Sequence, residues 1–466
     1  MRLLIECTYV YEHPRDNSGI QRVVRNVIKQ LGQTNPGVEC IPVMMNKGQL
    51  YQVKSLAPLR RDTLTRLNQV LALKLGAAHH RLWHGYGQLL KFWPFHRSKQ
   101  SRRALHLAFK LLSLVLRVPL GLAQWIERTS KPAASRATPM SAQPGDQLLL
   151  LDSSWHADFF PLAEKLREQG VGIVSVIYDL IPLTHPQFCD EGLVGVFDQW
   201  FDWIAKTADG FMAISQTISD QVAAEVSKRL GAAEAQKRWH GHFHLGSELD
   251  LATDQSAVLP QLEKMFQAPE PVYLMVSTIE PRKNHTYLLD AFELLWSQGS
   301  QARLCIIGKV GWKCEALVQR IRKHPEWEKR LFMFNKANDT SLEYAYSKAK
   351  ALVFPSYVEG FGLPLVEAMQ RGVPAMASDI PVFREIGGDF MAYFDLAEPA
   401  SLARLIRQYD ESGVFPAKRS LTEWHWLSWR EATLQLIERT LTGLREQASS
   451  RTQPAVSACQ APIDWA

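Results

Sequence analysis

Short apolar runs alternate with segments of helical periodicity through the second half of the chain, and this alternation restricts the fold more than any other feature. Strands that are joined through a helix lie parallel in one sheet, with right-handed crossovers and helices on both faces. The second half is therefore predicted to form a doubly wound parallel sheet. Its predicted strands are VYLMVST (272–278), ARLCIIGK (302–309), LFMFN (331–335), KALVFPS (350–356), PAMAS (374–378) and MAYFD (391–395).

The first half shows the same alternation, with an interruption at 47–140. A helix is predicted from about Ile20 to Leu31, just after Gly19. Ligands bind beyond the carboxyl ends of the strands in sheets of this kind, so a cleft between the two sheets is the expected active site. The predicted strands of this half are 2–10, 39–44, 147–152, 172–178, 210–215 and 242–245.

The pattern also predicts where the domains begin and end. The predicted order is a first α/β domain at 1–250 with a basic helical insertion at 47–140, a linker at 251–270, a second α/β domain at 271–417, a helix at 418–445 that returns to the first domain, and a disordered tail at 446–466.

The insertion at 47–140 holds all of the basic excess. It contains 17 Lys and Arg against two acidic residues, a net charge of +15, whereas the rest of the chain carries −9. A polar stripe follows one face of a predicted helix whose other faces are apolar, and Val118-Pro119 is predicted to end or kink that helix. The stripe consists of Arg103, His106, Lys110, Ser113 and Arg117.

Two interpretations of this helix remain open. Residues 81–128 could lie at an anionic membrane surface, which suits a basic stripe beside apolar faces and aromatic residues. Alternatively, the apolar face packs on the core and the cations are solvated. A nucleic-acid partner is not expected, because no nucleic-acid-binding motif accompanies the charge.

Several protein classes are excluded by composition and by the N-terminus. The six cysteines lie far apart with no CxxC pair, so neither a disulfide framework nor a zinc site is expected. Unpaired cysteines are typical of a reducing compartment, which is therefore the expected location. The start, MRLLIECTYV, reaches Glu6 too soon for a signal peptide and is predicted to be a buried strand. No apolar run has the length of a membrane-spanning helix.

The segment FPSYVEGFGLPLVEAMQRGVPAMAS (354–378) carries the strongest local signal. Gly360 and Gly362 precede a predicted helix, and backbone N–H groups at such a helix N-terminus can face an anion. A phosphate would repel Glu359 and Glu367, which are therefore expected to accept hydrogen bonds from sugar or ribose hydroxyls. The alternative is an ordinary strand-to-helix turn.

Two further segments follow the first strand of each sheet. In VSTIEPRKNHTYLLDAF (276–292), Arg282 and Lys283 stand beside a strand end, where fixed cations would stabilise the charge on a departing diphosphate. A solvated charge pair is the alternative. In DNSGIQRVVRNVIKQL (16–31), the loop at Gly19 can approach the same phosphate from the opposite wall, or it is an ordinary turn.

Together these motifs resemble the retaining glycosyltransferases of family 4, the glycosyl transferases group 1, which have the GT-B fold of two Rossmann-like domains facing a cleft. The similarity is greatest at 272–395, where EPRKN, LVFPSYVEGFGLPLVEAMQRGVP and REIGG follow in order. HLGSELD (244–250) resembles the interdomain link of the family. In the first half the similarity rests on SGIQR and on VIYDLIPLTHPQF (176–188).

The resemblance implies an acceptor-side first domain, a nucleotide-sugar-binding second domain, and a role for each matching residue. Glu359 would contact hydroxyls of the donor sugar and Glu367 the ribose. Arg282 and Lys283 would bind the diphosphate and assist its departure, and Gly19 would pass close to the same phosphates. The remaining donor-binding residues would be Gly360, Phe361, Gly362 and Leu363 around sugar and phosphate, and Asn335, Lys336 and Ala337 near the base.

Two positions depart from the pattern of the family. Thr278 occupies a place where many members have Arg, so more of the cationic role falls on Arg282 and Lys283. Tyr178 occupies the place of a His that lies near the donor sugar. Asp179 and His185 are candidates to replace that His in part, and His156 is a further acceptor-side candidate.

These implications describe a retaining hexosyltransferase that uses a nucleotide-sugar, GDP-mannose being favoured, and a saccharide acceptor. A membrane-bound insertion would make that acceptor lipid-linked, in surface polysaccharide or O-antigen assembly, with a cytoplasmic protein held peripherally on the inner membrane. No cofactor or metal is required, because Arg282, Lys283 and a helix N-terminus supply the positive field. The alternatives are a nucleotide-sugar epimerase of the same fold and a catalytically silent sugar-nucleotide-binding partner. Because a cleft-facing carboxylate contributes little to packing, Glu359→Ala is expected to abolish transfer and leave the fold intact.

Overall fold

The structure is a computed structural model that describes residues 1–14, 16, 18–32, 37–57, 74–76, 78–79, 81–86, 89–90, 99–129, 136–156, 159–248 and 257–452. Its strands are β1 (Arg2–Glu6), β2 (Glu39–Asn46), β3 (Gln49–Val53), β4 (Ala137–Met140), β5 (Gln147–Leu150), β6 (Gly172–Ile177), β7 (Gly210–Ala213), β8 (Trp239–His242), β9 (Val272–Val276), β10 (Arg303–Ile307), β11 (Leu331–Phe334), β12 (Ala351–Phe354), β13 (Ala375–Ser378) and β14 (Ala392–Phe394). Its helices are α1 (Thr8–Glu12), α2 (Gly19–Leu31), α3 (Lys99–Thr129), α4 (Phe160–Glu168), α5 (Ile181–Thr184), α6 (Glu191–Thr207), α7 (Gln216–Leu230), α8 (Ala232–Ala235), α9 (Pro260–Phe266), α10 (His285–Ser297), α11 (Glu315–Arg322), α12 (Asp339–Lys348), α13 (Leu363–Gln370), α14 (Pro381–Gly387), α15 (Pro399–Ser412) and α16 (Trp429–Thr452).

Two sheets organise the residues that the structure describes. An eight-stranded sheet, the basis of the first lobe, has the order β4-β3-β2-β1-β5-β6-β7-β8, and a six-stranded sheet, the basis of the second lobe, has the order β11-β10-β9-β12-β13-β14. The six-stranded sheet is parallel throughout, and each strand predicted for the second half is found there. Central strands such as β1 and β9 are buried apolar runs, as a sheet covered on both faces requires. The predicted α/β class is confirmed.

The strand order of the second lobe places the candidate site. From β9 the chain continues to β10 and β11 on one side of the sheet, and it then returns to β12 on the other side of β9. Such a reversal opens a crevice at the carboxyl ends of the two central strands. The loops that leave β9 and β12 are the ones with Arg282 and Glu359.

The insertion begins and ends differently from the prediction. Residues 47–140 were expected to be helical, but β3 forms an antiparallel hairpin with β2, and β4 extends the same sheet. Lys47 and Gly48 connect the hairpin with φ of 50° and 72°. Two successive positive φ values characterise a type I′ turn, whose twist matches that of the strands. An Asn-Lys-Gly sequence between apolar strands was the signal for this hairpin.

Three other boundaries are corrected. The predicted linker 251–270 contains α9, whose Leu262 and Met265 are buried, although 249–256 lie outside the described residues. The last strand of the first sheet is Trp239–His242 rather than 242–245. The final helix begins at Trp429 and continues to Thr452, so the predicted tail at 446–466 is wrong for its first seven residues. In this last part of the helix, the Gln447 amide donates to the Asp209 and Lys237 carbonyls, at 2.9 and 2.7 Å. The remainder of the predicted tail, 453–466, lies outside the described residues.

Residues Val53–Thr138 form a compact unit of their own, and Met1–Gln52 with Pro139–Ala466 form the other. Within Val53–Thr138, α3 continues past Pro119, so this proline does not end the helix. His106 packs in an aromatic cluster with Trp83 and Tyr86, and Ser113 is buried. Nowhere in the described ranges is a helix both long and apolar enough to cross a bilayer.

The apolar face of α3 is exposed. The side chains are between 49% and 69% exposed at Leu107, Leu111, Leu112, Leu114, Val115 and Val118.

Candidate active site

A buried charged cluster lies where the loops after β9 and β12 meet. Glu359 accepts hydrogen bonds from Arg282 Nη1, at 2.7 Å through Oε2, and from Lys283 Nζ through Oε1. Glu280 Oε1 lies 2.6 Å from Arg282 Nε. The Lys283 ammonium also lies 5.0 Å from the centre of the Phe354 ring. The two cations predicted to bind a diphosphate are thus paired with carboxylates.

Electrostatics favour the ionised form of Glu359 in this cluster. Burial alone would raise the pKa of Glu359, but Arg282 and Lys283 outweigh it and lower the pKa to about 2. Burial, together with neighbouring Arg282, lowers the pKa of Lys283 despite Glu359. Burial also raises the pKa of Glu280, which the two cations only partly offset. Glu359 therefore stays anionic at neutral pH, where its carboxylate can accept hydrogen bonds from hydroxyls.

The first lobe contributes Asp179 to this cluster. Asp179 follows β6, its Oδ1 accepts from Ile181 N at 3.0 Å, and burial raises its pKa even though Arg282 opposes the shift. A Cβ on Gly360 would lie 2.1 Å from the carbonyl oxygen of Tyr178 and 3.2 Å from Asp179 Cβ. Only a glycine allows the two lobes to approach this closely.

Phe361 and Gly362 follow Gly360 in the loop between β12 and α13, and the loop contacts both lobes. Gly362 has φ of 109°, which other residues rarely adopt, and it directly precedes α13, whose first residue is Leu363. Phe361 is buried and packs near Trp426 and His244, with ring centres 5.9 and 6.2 Å apart. The Gly360 carbonyl accepts a hydrogen bond from Ser215 Oγ at 3.0 Å.

Glu367 has partners that the sequence did not indicate. It is buried, it forms an ion pair with Arg22 of α2, and it accepts a hydrogen bond from Tyr346 at 2.8 Å. Gly19 is the first residue of α2, one turn before Arg22. Arg22 and Glu280 are therefore site residues that the sequence reasoning missed. Arg22 belongs to the SGIQR motif and Glu280 to the EPRKN motif, so each motif was a signal for its residue.

The remaining predicted residues are placed as follows. Asn335, Lys336 and Ala337 follow β11, the edge strand two positions from β9. His185 stacks on Phe188, and His156 ends a 3-10 turn but its side chain lies outside the described residues.

Tyr178 does not face the charged cluster. Its hydroxyl donates to the Leu151 carbonyl at 2.7 Å, and burial raises its pKa well above the ordinary value. The phenol therefore does not replace the His that the resemblance places at this position.

Glu385 connects the lobes at a second place. It accepts from Gln216 N and Thr217 N, at 2.7 and 2.9 Å in the first turn of α7, and from Thr217 Oγ1 at 2.7 Å. His244 Nε2 lies 2.8 Å from it. With His242 these residues are the one group of three metal-ligand side chains in the described ranges. The Glu385 oxygens are already engaged, so the group acts as a clasp between lobes.

This clasp predicts an acid-dependent effect. Burial alone would raise the pKa of Glu385, but the hydrogen bonds from His244 and Thr217 lower it to about 2. Its stabilising effect is therefore fully present above the unfolded pKa near 4.5 and is lost as pH falls toward 2. We expect wild type to exceed Glu385→Gln in unfolding free energy at pH 6. Urea titrations should show that difference shrinking below pH 4.5, and a constant difference would contradict the role of the carboxylate.

Parts of the chain are similar to known proteins. Residues 263–420 match the family model described as Glycosyl transferases group 1. The serotype-specific mannosyltransferase WbdA of Escherichia coli is 30% identical over 308 residues, which are 64% of this chain and 37% of that protein. The O-antigen chain mannosyltransferase B of Escherichia coli is 32% identical over 183 residues, 38% of this chain and 48% of that protein. The chain spans little more than a third of the length of the first of these relatives.

A solved structure extends the comparison to the fold. The sucrose-phosphate synthase of Thermosynechococcus elongatus superposes with a TM-score of 0.51 at 16% identity, covering 97% of this chain and all of that one. Residues 263–420 are thus similar to the glycosyl transferases group 1 family, and the two α/β lobes have the GT-B fold.

Proposed function

We propose that the chain is a retaining hexosyltransferase that moves mannose from GDP-mannose to a saccharide acceptor in O-antigen assembly. The observation that carries the proposal is the buried cluster of Arg282, Lys283 and Glu359 against Asp179 and Gly360 of the lobe junction. The choice of mannose and of O-antigen rests on the names of the relatives.

The cluster supplies what departure of a nucleoside diphosphate needs. Glu359 and Glu280 hold Arg282 and Lys283 at the site, so both cations are already nearby when charge develops on the leaving oxygen. The acceptor would attack from the face that the diphosphate leaves, and a donor phosphate oxygen would take its proton. In this scheme Glu359 orients the donor sugar through its hydroxyls, and the protein's own cations stabilise the leaving group without a metal.

A donor screen tests this proposal. The full chain is incubated with GDP-mannose, UDP-glucose or ADP-glucose and a mannose oligosaccharide acceptor, and the product linkage is assigned by NMR. We expect transfer from GDP-mannose with retained configuration at the anomeric carbon. Donor isomerisation would indicate an epimerase, and binding without turnover would indicate a silent partner; either result overturns the proposal.

We further propose that α3 holds the protein at an anionic membrane from the cytoplasmic side, so that the acceptor is lipid-linked. Its exposed apolar side chains form one face of the helix, and Arg103, Lys110 and Arg117 border that face at helical spacing. An apolar face bordered by cations fits a headgroup layer with negative charge.

Vesicle binding checks the membrane proposal. Replacing Arg103, Lys110 and Arg117 by Gln should remove about 1 kcal/mol each of attraction to phosphatidylglycerol vesicles, a combined effect above a hundredfold. Co-sedimentation measures the loss. The matched control replaces the exposed Lys228, Lys323 and Lys348 by Gln, an equal charge change outside the helix. Equal binding of the two triple variants would contradict the proposal.

A further inference from the structure

A cavity of about 520 Å³ lies beside the turn Pro281–Lys283. Three aromatic side chains line it, Phe188, Tyr287 and Tyr357, and so do five polar ones, Glu280, Asn284, Thr286, Asp290 and Lys313. This volume is within the range of small-molecule sites, and a mainly apolar wall with a few polar groups is their usual composition. None of the roles proposed above uses this cavity.

Its aromatic wall includes a stack of rings, of which Tyr357 is partly exposed. Phe188 and Tyr357 stack with ring centres 5.5 Å apart and planes at 15°, and His185 stacks on Phe188 at 8°. Tyr357 is 44% exposed, so part of its ring is open to a ligand. The face of an aromatic ring carries partial negative charge, and it therefore attracts the partially positive C–H groups on the flat side of a sugar ring.

The segment that holds this wall is fixed from both lobes. Trp312 Nε1 donates to the Phe188 carbonyl, and Lys313 Nζ donates to the Cys189 carbonyl, each at 2.8 Å. Tyr357 N donates to the Arg282 carbonyl at 2.9 Å. The rings are thus positioned before any ligand arrives, which lowers the entropy lost on binding.

One buried polar group at the cavity has no partner. Asn284 is 5% exposed, and its Oδ1 accepts from Tyr287 N, but in the described part of the chain its Nδ2 has no hydrogen-bond partner. A buried amide without a partner is unfavourable by about 1–3 kcal/mol. Asn284 and Lys313 also have positive φ, 56° and 53°. Asn284 lines the cavity, so a turn of its side chain would give Nδ2 an acceptor in a hydroxyl of a bound ligand.

We propose that this cavity binds sugar units of the saccharide acceptor, an inference that rests on the proposed function. The wall supplies the exposed ring of Tyr357, while Asn284, Asp290 and Lys313 supply donors and acceptors for hydroxyls. The mixed charge of Asp290 and Lys313 suits a neutral polyhydroxyl ligand better than a phosphate. Glu280 lines the cavity and also touches Arg282, so a bound saccharide lies one side chain away from the diphosphate cluster.

Binding of mannotriose to the full chain without donor tests this inference. Tyr357→Ala removes the exposed ring face, and Asn284→Asp keeps the oxygen that caps α10 but removes the unpartnered donor. We expect each variant to weaken mannotriose binding at least about fivefold by calorimetry, the size of one lost hydrogen bond or ring contact. Tyr344→Ala is the matched control, because that tyrosine packs on Phe266 elsewhere in the second lobe.

The outcomes separate the two proposals. Absent binding, or equal binding by wild type and both variants with native circular dichroism, overturns the cavity proposal. Phe188→Leu replaces Tyr357→Ala if the latter does not fold. Tyr357-dependent binding without transfer supports the cavity and contradicts only the transferase. Transfer with an unchanged acceptor KM in Tyr357→Ala contradicts only the cavity.

Discussion

Glu359→Gln should lower the rate of transfer at least a hundredfold and also destabilise the fold. The amide has nearly the volume of the carboxylate, so the change removes charge and leaves packing intact. Loss of the anion leaves Lys283 buried without an ionic partner, since Glu280 contacts Arg282. Removing one member of a buried ion pair costs about 3–5 kcal/mol. Transfer assays and urea unfolding measure the two effects separately.

This result differs from what the sequence led us to expect for the same residue. A cleft-facing carboxylate that awaits a hydroxyl could be removed without harm to the fold, but Glu359 is 8% exposed and neutralises two buried cations. Glu398→Gln is the matched control, because Glu398 pairs with Arg404 on the surface. Wild-type transfer in Glu359→Gln would exclude the role of Glu359 in catalysis, and wild-type stability would exclude its role as a counterion.

The parallel sheets could be predicted because their signal is local. Each buried strand of the second lobe is a short apolar run with a helical segment on either side. Two strands that are joined through a helix lie parallel, with a right-handed crossover, so the arrangement of the sheet follows from the order of these segments. The motif at 354–378 likewise specifies its own strand, turn and helix. The hairpin at Lys47 and Gly48 was missed since it depends on two positive φ values in a segment whose charge had drawn attention to helices.

The partners of site residues could not be predicted, because they come from distant parts of the chain. Arg22 and Glu367 are 345 residues apart, and Gly360 meets Tyr178 across the lobe junction. Sequence patterning indicates which residues lie at strand ends but not which strand ends of one lobe face those of the other. For the same reason the glycine at 360 was interpreted as a phosphate contact, whereas close approach of the lobes already requires it.

Lys283→Ala should weaken the binding of GDP about 10- to 150-fold, the effect of a lost charged hydrogen bond of about 1.5–3 kcal/mol. In the free protein Glu359 holds the ammonium, so a diphosphate must compete with that carboxylate for it. Glu359→Gln removes the competitor, and we expect GDP without its sugar to bind at least as tightly to that variant as to wild type. A loss of GDP affinity in Lys283→Ala without a loss in Glu359→Gln distinguishes a phosphate site from general damage to the cleft.

The pH dependence of the same measurement identifies the charge. Burial lowers the pKa of Lys283 below its ordinary 10.5, so the ammonium loses its proton at a lower pH than an exposed lysine would. The advantage of wild type over Lys283→Ala in GDP affinity should therefore decrease as pH rises, and the decrease should begin at a lower pH than the ordinary lysine pKa of 10.5 would give. Taking the ratio of the two affinities cancels any titration of GDP itself, because both proteins meet the same ligand. A ratio that stays unchanged to pH 10 would show that Lys283 acts through packing on Phe354 and not through its charge, and the diphosphate would then depend on Arg282 alone among the two cations of the cluster.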